Sequence, residues 1–190
     1  MAARESRMPA LGTPAPDFAL PDPAGKRFAL RDFAGSKGLL VAFICNHCPY
    51  VKHLLEGFVQ FAREYGPKEI AILAINSNDA AAYPQDDAPS MARIAAQKGF
   101  TFPYLIDETQ AVAKAYQAIC TPDFFLFDAG RRLAYRGQFD GSRPGNALPV
   151  TGADLRAAAD ALLAGKRLDK QIPSIGCSIK WKSGQAPQWA

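Results

Sequence analysis

Two continuous apolar runs, Gly-Leu-Leu-Val-Ala-Phe-Ile at 38–44 and Ile-Ala-Ile-Leu-Ala-Ile-Asn at 70–76, enclose one amphipathic segment, and this order constrains the fold most. Short β-branched and aromatic runs without alternation read as strands buried on both faces. Between them Val51, Leu54, Leu55, Phe58, Val59 and Ala62 recur at helical spacing over residues 49–65. Pro49 suits the first turn, where a backbone N–H would have no intrahelical acceptor. Strand, helix, strand in this order predicts a right-handed parallel crossover. At its first junction stands Cys45-Asn46-His47-Cys48-Pro49. Unpaired N–H groups and the helix dipole favour an anion at a helix start, so this dithiol favours a reactive thiolate and a reversible disulfide. Cys45 is expected at the helix N-terminus, and access and chemistry there make it the expected attacking sulfur, with Cys48 resolving the mixed disulfide.

The remaining segments read as further α/β elements. Residues 16–30 form two short alternating runs around a Pro/Gly turn, an N-terminal hairpin. Residues 77–89 turn polar and proline-marked, with Asp79, Pro84, Asp86 and Asp87, and are expected at the rim of the site. Ser90 is the expected cap of a helix ending at Lys98. A strand at 102–106, a helix at 108–117 and a hairpin of 124–127 with 132–137 around Asp128-Ala129-Gly130 follow. After a loop at 140–151, residues 153–163 form an amphipathic helix that Gly165 stops. The tail, 166–190, contains Ile175-Gly176-Cys177-Ser178-Ile179-Lys180-Trp181, too apolar to be left in water, so it is expected to pack on the body.

With 190 residues and 48% apolar composition, the chain can bury one core and reads as a single domain, with residues 1–12 flexible. Its charge of +4 is scattered, which argues against nucleic acid as a partner. No apolar run approaches the roughly 18 residues of a membrane span, and no signal-peptide core is visible, so the reading is cytoplasmic. In a reducing compartment, four cysteines including a C-x-x-C pair suggest redox or metal chemistry rather than a disulfide framework. Structural zinc generally needs four ligands. Only His47 and His53 and two distant cysteines are on offer, so no metal is assigned. Soft thiolates beside an imidazole keep a copper-binding module or redox sensor as an alternative.

A second feature supports the redox reading: Cys120-Thr121-Pro122 directly precedes the run 123–127. A Thr-Pro bond after the dithiol and before a hairpin resembles the cis-proline that faces the active disulfide in thioredoxin folds. With Ala15-Pro16-Asp17-Phe18-Ala19-Leu20, Gly25-Lys26 and the Asp128-Ala129-Gly130 hairpin, the chain resembles the thioredoxin-like superfamily. Within it, the resemblance is to a peroxiredoxin-like branch of the redoxin group, the alkyl hydroperoxide reductase/thiol-specific antioxidant relatives. It implies a thioredoxin fold: a central mixed sheet flanked by helices, with an N-terminal hairpin and a C-terminal tail extension.

The resemblance implies a thiol–disulfide oxidoreductase with no cofactor. Its partners would be protein or small-molecule disulfides and an external thiol reductant. Thr121 and Pro122 would offer backbone to an incoming disulfide. Peroxiredoxins place the reactive cysteine in Pro-x-x-x-Thr-x-x-Cys, with an arginine before a later strand. If Cys48 takes that place, Cys45 stands at the threonine, Val41 at the proline, and the arginine falls near Pro122. Without a hydroxyl and a guanidinium to polarise an O–O bond, antioxidant peroxidase activity ranks below disulfide exchange. Leu39 stands where thioredoxin has a proton-transferring aspartate. His47 resembles the histidine of Cys-Pro-His-Cys and Cys-Gly-His-Cys oxidants, which implies a more oxidising pair than thioredoxin. Cys177 and Cys120 are the candidate resolving or relay thiols; for Cys120 a buried, inert role is the expectation, and for Cys177 simple packing is the alternative. His53 is expected to be an ordinary satisfied histidine and Arg143 to stabilise its loop. Trp181 and Trp189 either cover the thiols or anchor the tail.

Overall fold

The computed structural model describes residues 3–190. Five strands build the central sheet: β4 (Gly38–Phe43), β5 (Ile70–Asn76), β6 (Tyr104–Ile106), β8 (Asp123–Asp128) and β9 (Leu133–Gly137). Their order is β6-β5-β4-β8-β9. The first three are parallel and the last two antiparallel, so the sheet is mixed. A hairpin of β2 (Ala19–Pro21) and β3 (Arg27–Ala29) precedes it. A separate sheet joins β1 (Ala3–Glu5), β10 (Ile175–Ser178) and β7 (Cys120–Thr121).

Strand β4 shows why the core has two halves. Side chains alternate across a strand, so Leu40 and Ala42 enter one cluster while Leu39, Val41 and Phe43 enter the other. The first lies under α1 (Pro49–Tyr65), whose Val51, Leu54, Leu55, Phe58 and Val59 form the stripe that its sequence spacing predicts. Leu155, Ala158 and Ala159 of α4 (Ala153–Leu163) and Met91 of α2 (Ala88–Lys98) complete it. The second is covered by Val112, Ala113 and Tyr116 of α3 (Ala111–Tyr116) and by Phe18 and Leu20 of the hairpin region. Each large side chain buried this way contributes about 1.5–3 kcal/mol of transfer free energy.

Helix α1 spans the residues its periodicity predicts, but Cys48, not Cys45, is its N-cap. The chain bends through Asn46 and His47 before Pro49 sets the first helical φ, so Cys45 precedes the helix. Helix α2 begins earlier than Ser90: Asp87 is the cap, its carboxylate accepting the Ser90 N–H at 2.8 Å. Helix α3 is shorter than expected because Asp107 accepts the N–H groups of Val112 and Ala113, fixing its start. The expectation of a flexible 1–12 segment is corrected as well. Ala3–Glu5 pairs with the tail strand in the register Ala3↔Cys177, Arg4↔Gly176, Glu5↔Ile175. That pairing is made by backbone groups of a segment distant in sequence, which leaves no local pattern. Met1 and Ala2 lie outside the described residues.

The tail packs on the body, as its apolar composition predicts. Buried Gln110 holds it through Lys180 O at 2.9 Å and the Lys182 N–H at 2.8 Å. Trp181 packs against the second core cluster and meets Trp189 edge to face at 6.4 Å, so the pair anchors the tail.

Candidate active site

The site forms where β4 ends, α1 begins, and β7 and β10 meet beside them. Cys45 is 2% exposed and Cys48 is fully buried. The Thr121–Pro122 peptide is cis, as the sequence resemblance implies. Thr121 touches both sulfurs: its Oγ1 lies 3.4 Å from Cys45 Sγ, and its carbonyl oxygen accepts from the Cys48 thiol at 3.1 Å.

The two thiols titrate as a pair. Cys48 is pulled down to about 5, chiefly by a hydrogen bond from Cys45, with the Val51 N–H and Cys177 acting in the same direction. The Thr121 carbonyl favours the protonated form, yet it is one acceptor against several converging donors. Cys45 is held well above its ordinary value by its hydrogen bond to Cys48, then by burial and by the charge of Asp86. The two shifts run in opposite directions, so of the pair Cys48 is the thiol favoured as thiolate and Cys45 the one favoured as thiol. Helix start and charge do coincide, as the sequence suggests, but on the second cysteine.

The two residues between the cysteines are fixed by a carboxylate from the 77–89 loop. Asp86, whose side chain is fully buried, accepts the Asn46 N–H at 2.7 Å and Asn78 Nδ2 at 2.7 Å. Its Oδ2 lies 2.7 Å from His47 Nδ1. The imidazole stacks on Tyr83 with centroids 5.3 Å apart and planes at 7°. Asn46 also donates to Gln85 O and accepts from the Tyr104 hydroxyl. His47 is thus a built part of the site, only 12% exposed. Cys45, His47 and Asp86 offer ligand atoms within 4.8 Å of one another, the donor set that could hold a metal.

The third thiol at the site belongs to the tail. Cys177 stands opposite Thr121 in the β10–β7 pairing, and Gly176 beside it packs so tightly on the Thr121 carbonyl that no Cβ fits. Burial, and then a hydrogen bond to Cys48, push the Cys177 thiol up to about 12. Cys120 is fully buried, and burial first and Asp123 next hold its thiol well up. Its contact is with Pro122 O at 3.8 Å, the packing role expected of it.

Other expectations resolve simply. His53 pairs with the Ser142 hydroxyl at 2.7 Å. Arg143 donates to Asp140 O and Ser142 O and bonds Gln138, so its charge serves its loop. Val41 and Leu39, at the places of the peroxiredoxin proline and the thioredoxin aspartate, are apolar core. The sequence reading missed the part played by Asp86, Tyr83, Asn78 and Tyr104. Asp86 carried the one signal, an acidic residue in a loop expected at the rim. It also missed Asp123, a fully buried carboxyl beyond Pro122 that burial pushes well up.

A thiol-disulfide oxidoreductase ResA from Geobacillus kaustophilus (strain HTA426) is 30% identical over 119 residues, 63% of this chain and 64% of the relative. The chain thus spans just under two thirds of that relative's length. A solved hypothetical protein, SMc02350 from Sinorhizobium meliloti 1021, is 53% identical, with a TM-score of 0.93 over 95% of this chain and 99% of that one. An uncharacterized conserved protein from Geobacillus kaustophilus is 52% identical, with a TM-score of 0.95 over 97% of this chain and 98% of that one. Residues 11–136, from before the hairpin into β9, match the AhpC/TSA family, and the chain belongs to it.

Proposed function

We propose that the chain is a thiol–disulfide oxidoreductase in which Cys45 attacks a disulfide and Cys48 resolves the mixed disulfide. The observation that carries this reading is Thr121 set against both sulfurs where α1 begins, its hydroxyl 3.4 Å from Cys45 Sγ and its carbonyl oxygen 3.1 Å from Cys48 Sγ, with the Cys48 thiol lowered to about 5. As Cys45 attacks, its proton passes to Cys48, whose thiol is lowered to about 5. The ResA relative's name agrees with this chemistry. No cofactor enters the cycle; an external thiol, such as a reducing cytoplasm supplies, returns the disulfide to the dithiol.

A thiolate stabilised in the reduced form makes the couple more oxidising. In a glutathione redox titration the Cys45–Cys48 couple is therefore expected above about −270 mV, the thioredoxin reference. A value at or below that reference contradicts the tuning argument.

Cys177 is proposed as a relay. Its place opposite Thr121, whose carbonyl oxygen lies 3.1 Å from Cys48 Sγ, supports oxidation ending as Cys45–Cys48 or, after exchange, as Cys48–Cys177. Mass mapping after mild oxidation is expected to find both disulfides. Cys45–Cys48 alone under every condition would confine Cys177 to packing.

A slow thiol peroxidase is the second reading. Thr121 brings a hydroxyl to within 3.4 Å of Cys45 although the sequence position expected to supply one is itself a cysteine. Hydrogen peroxide consumption faster than disulfide reduction would reverse the order of the two.

A further inference from the structure

The two approaches to the dithiol differ in kind. On one side the backbone edge at Thr121, where an extended peptide could add as a strand, is already paired: β10 lies across it in the register Cys177↔Thr121 and Ser178↔Cys120. The far edge of β10 is closed in turn by β1. On the other side a cavity of about 270 Å³ opens between α1 and α2 and reaches Cys45. Its walls include Leu55, Ile94 and Phe100, and Lys52 and Lys98 complete the lining. Lys98 is engaged by Glu56 at 2.9 Å. Lys52 is exposed and has no ion-pair partner among the described residues. Cys45 is the one cysteine lining this cavity.

We infer that the dithiol acts on a low-molecular-weight disulfide with an apolar body and a carboxylate, which enters by the α1–α2 cavity, and not on disulfides of extended polypeptides. The inference rests on the disulfide-exchange reading and names its substrate class. Apolar walls select the body, and Lys52 attracts the anion. Cys45 Sγ attacks one substrate sulfur while its proton moves to Cys48, and the substrate S–S bond breaks. The departing thiolate takes that proton, and Cys48 then attacks Cys45 Sγ. The second thiolate leaves and takes a proton from water. Two electrons pass from the protein dithiol to the substrate, leaving a Cys45–Cys48 disulfide and two free thiols.

The test measures how fast the reduced full-length chain reacts with insulin, with dianionic dithiobis(nitrobenzoate) and with neutral dithiodipyridine. Each rate is divided by that of dithiothreitol with the same disulfide. The dithiobis(nitrobenzoate) ratio is expected to exceed the insulin ratio by at least about tenfold. Lys52→Glu is expected to slow the dianion by about tenfold at low ionic strength and to leave the neutral probe within about twofold. An insulin ratio equal to or above the small-molecule ratio overturns the inference and leaves disulfide exchange standing. So does a Lys52→Glu variant that slows both small probes alike or neither. Absence of reaction with all three overturns the disulfide-exchange reading as well.

Discussion

Replacing Cys48 with serine is expected to lower multiple-turnover disulfide reduction by at least about a thousandfold and to leave protein trapped as a mixed disulfide on Cys45. The size of the effect follows from two roles held by one atom. Cys48 Sγ is the sulfur that would break the mixed disulfide, and it is also the hydrogen-bond partner toward which the Cys45 proton moves. Serine keeps a small polar group in the pocket but ionises far too weakly to do either. The same variant has a second signature, independent of any substrate. In the wild-type reduced protein, ultraviolet thiolate absorbance is expected to rise with a midpoint at about pH 5. Because Cys48 is lowered from its ordinary value, the thiolate is present above that midpoint and is lost as pH falls through it. Reactivity should therefore hold from neutral pH down to about 5 and decline below. In Cys48→Ser the low-pH step disappears. In Cys45→Ala it moves upward, since the hydrogen bond from Cys45 is the largest cause of the lowering. Near-normal turnover in Cys48→Ser would remove this residue from the mechanism.

Gly176→Ala tests how the tail is held against the site. A Cβ at residue 176 would fall on the carbonyl of Thr121, and the obstructing atoms are backbone, which cannot swing aside like the end of a long side chain. Either β10 or the Thr121–Pro122 segment must shift. A cost of about 2–4 kcal/mol is expected, seen as a melting temperature lower by about 5–15 °C. Because β10 pairs with both β1 and β7, loosening it should also strip amide protection from Ala3–Glu5 and open Cys177 to alkylation. An unchanged melting temperature with Cys177 still protected would mean that the backbone yields without loosening the tail.

The sheet and α1 were legible in the sequence because their signals are local. Continuous apolar runs at 38–44 and 70–76 suit only strands covered on both faces. The stripe from Val51 to Ala62 has helical period, and Pro49 marks the start. Element ends were less legible where side chains intervene: Asp87 and Asp107 each capture N–H groups and move a helix start by a few residues. The C-x-x-C spacing and Thr121-Pro122 likewise announced a dithiol facing a proline. Which sulfur is favoured as thiolate was not legible, because that depends on where the bend through Asn46 and His47 leaves each sulfur relative to the other, to the Val51 N–H and to Cys177.

By itself, then, the sequence determined an α/β chain with a dithiol at a strand-to-helix junction, since short-range periodicity and the rigid geometry of proline encode both. Only the tertiary structure decided three further matters: that Asp86, thirty-nine residues from His47, fixes the segment between the cysteines; that Cys48 is the charged sulfur; and that a tail strand with Cys177 closes the Thr121 edge. The first and third rest on contacts between residues far apart in the chain, made through side-chain and backbone hydrogen bonds that leave no periodic trace in the sequence; the second depends on how the bend through Asn46 and His47 sets two nearby sulfurs against each other and against Thr121.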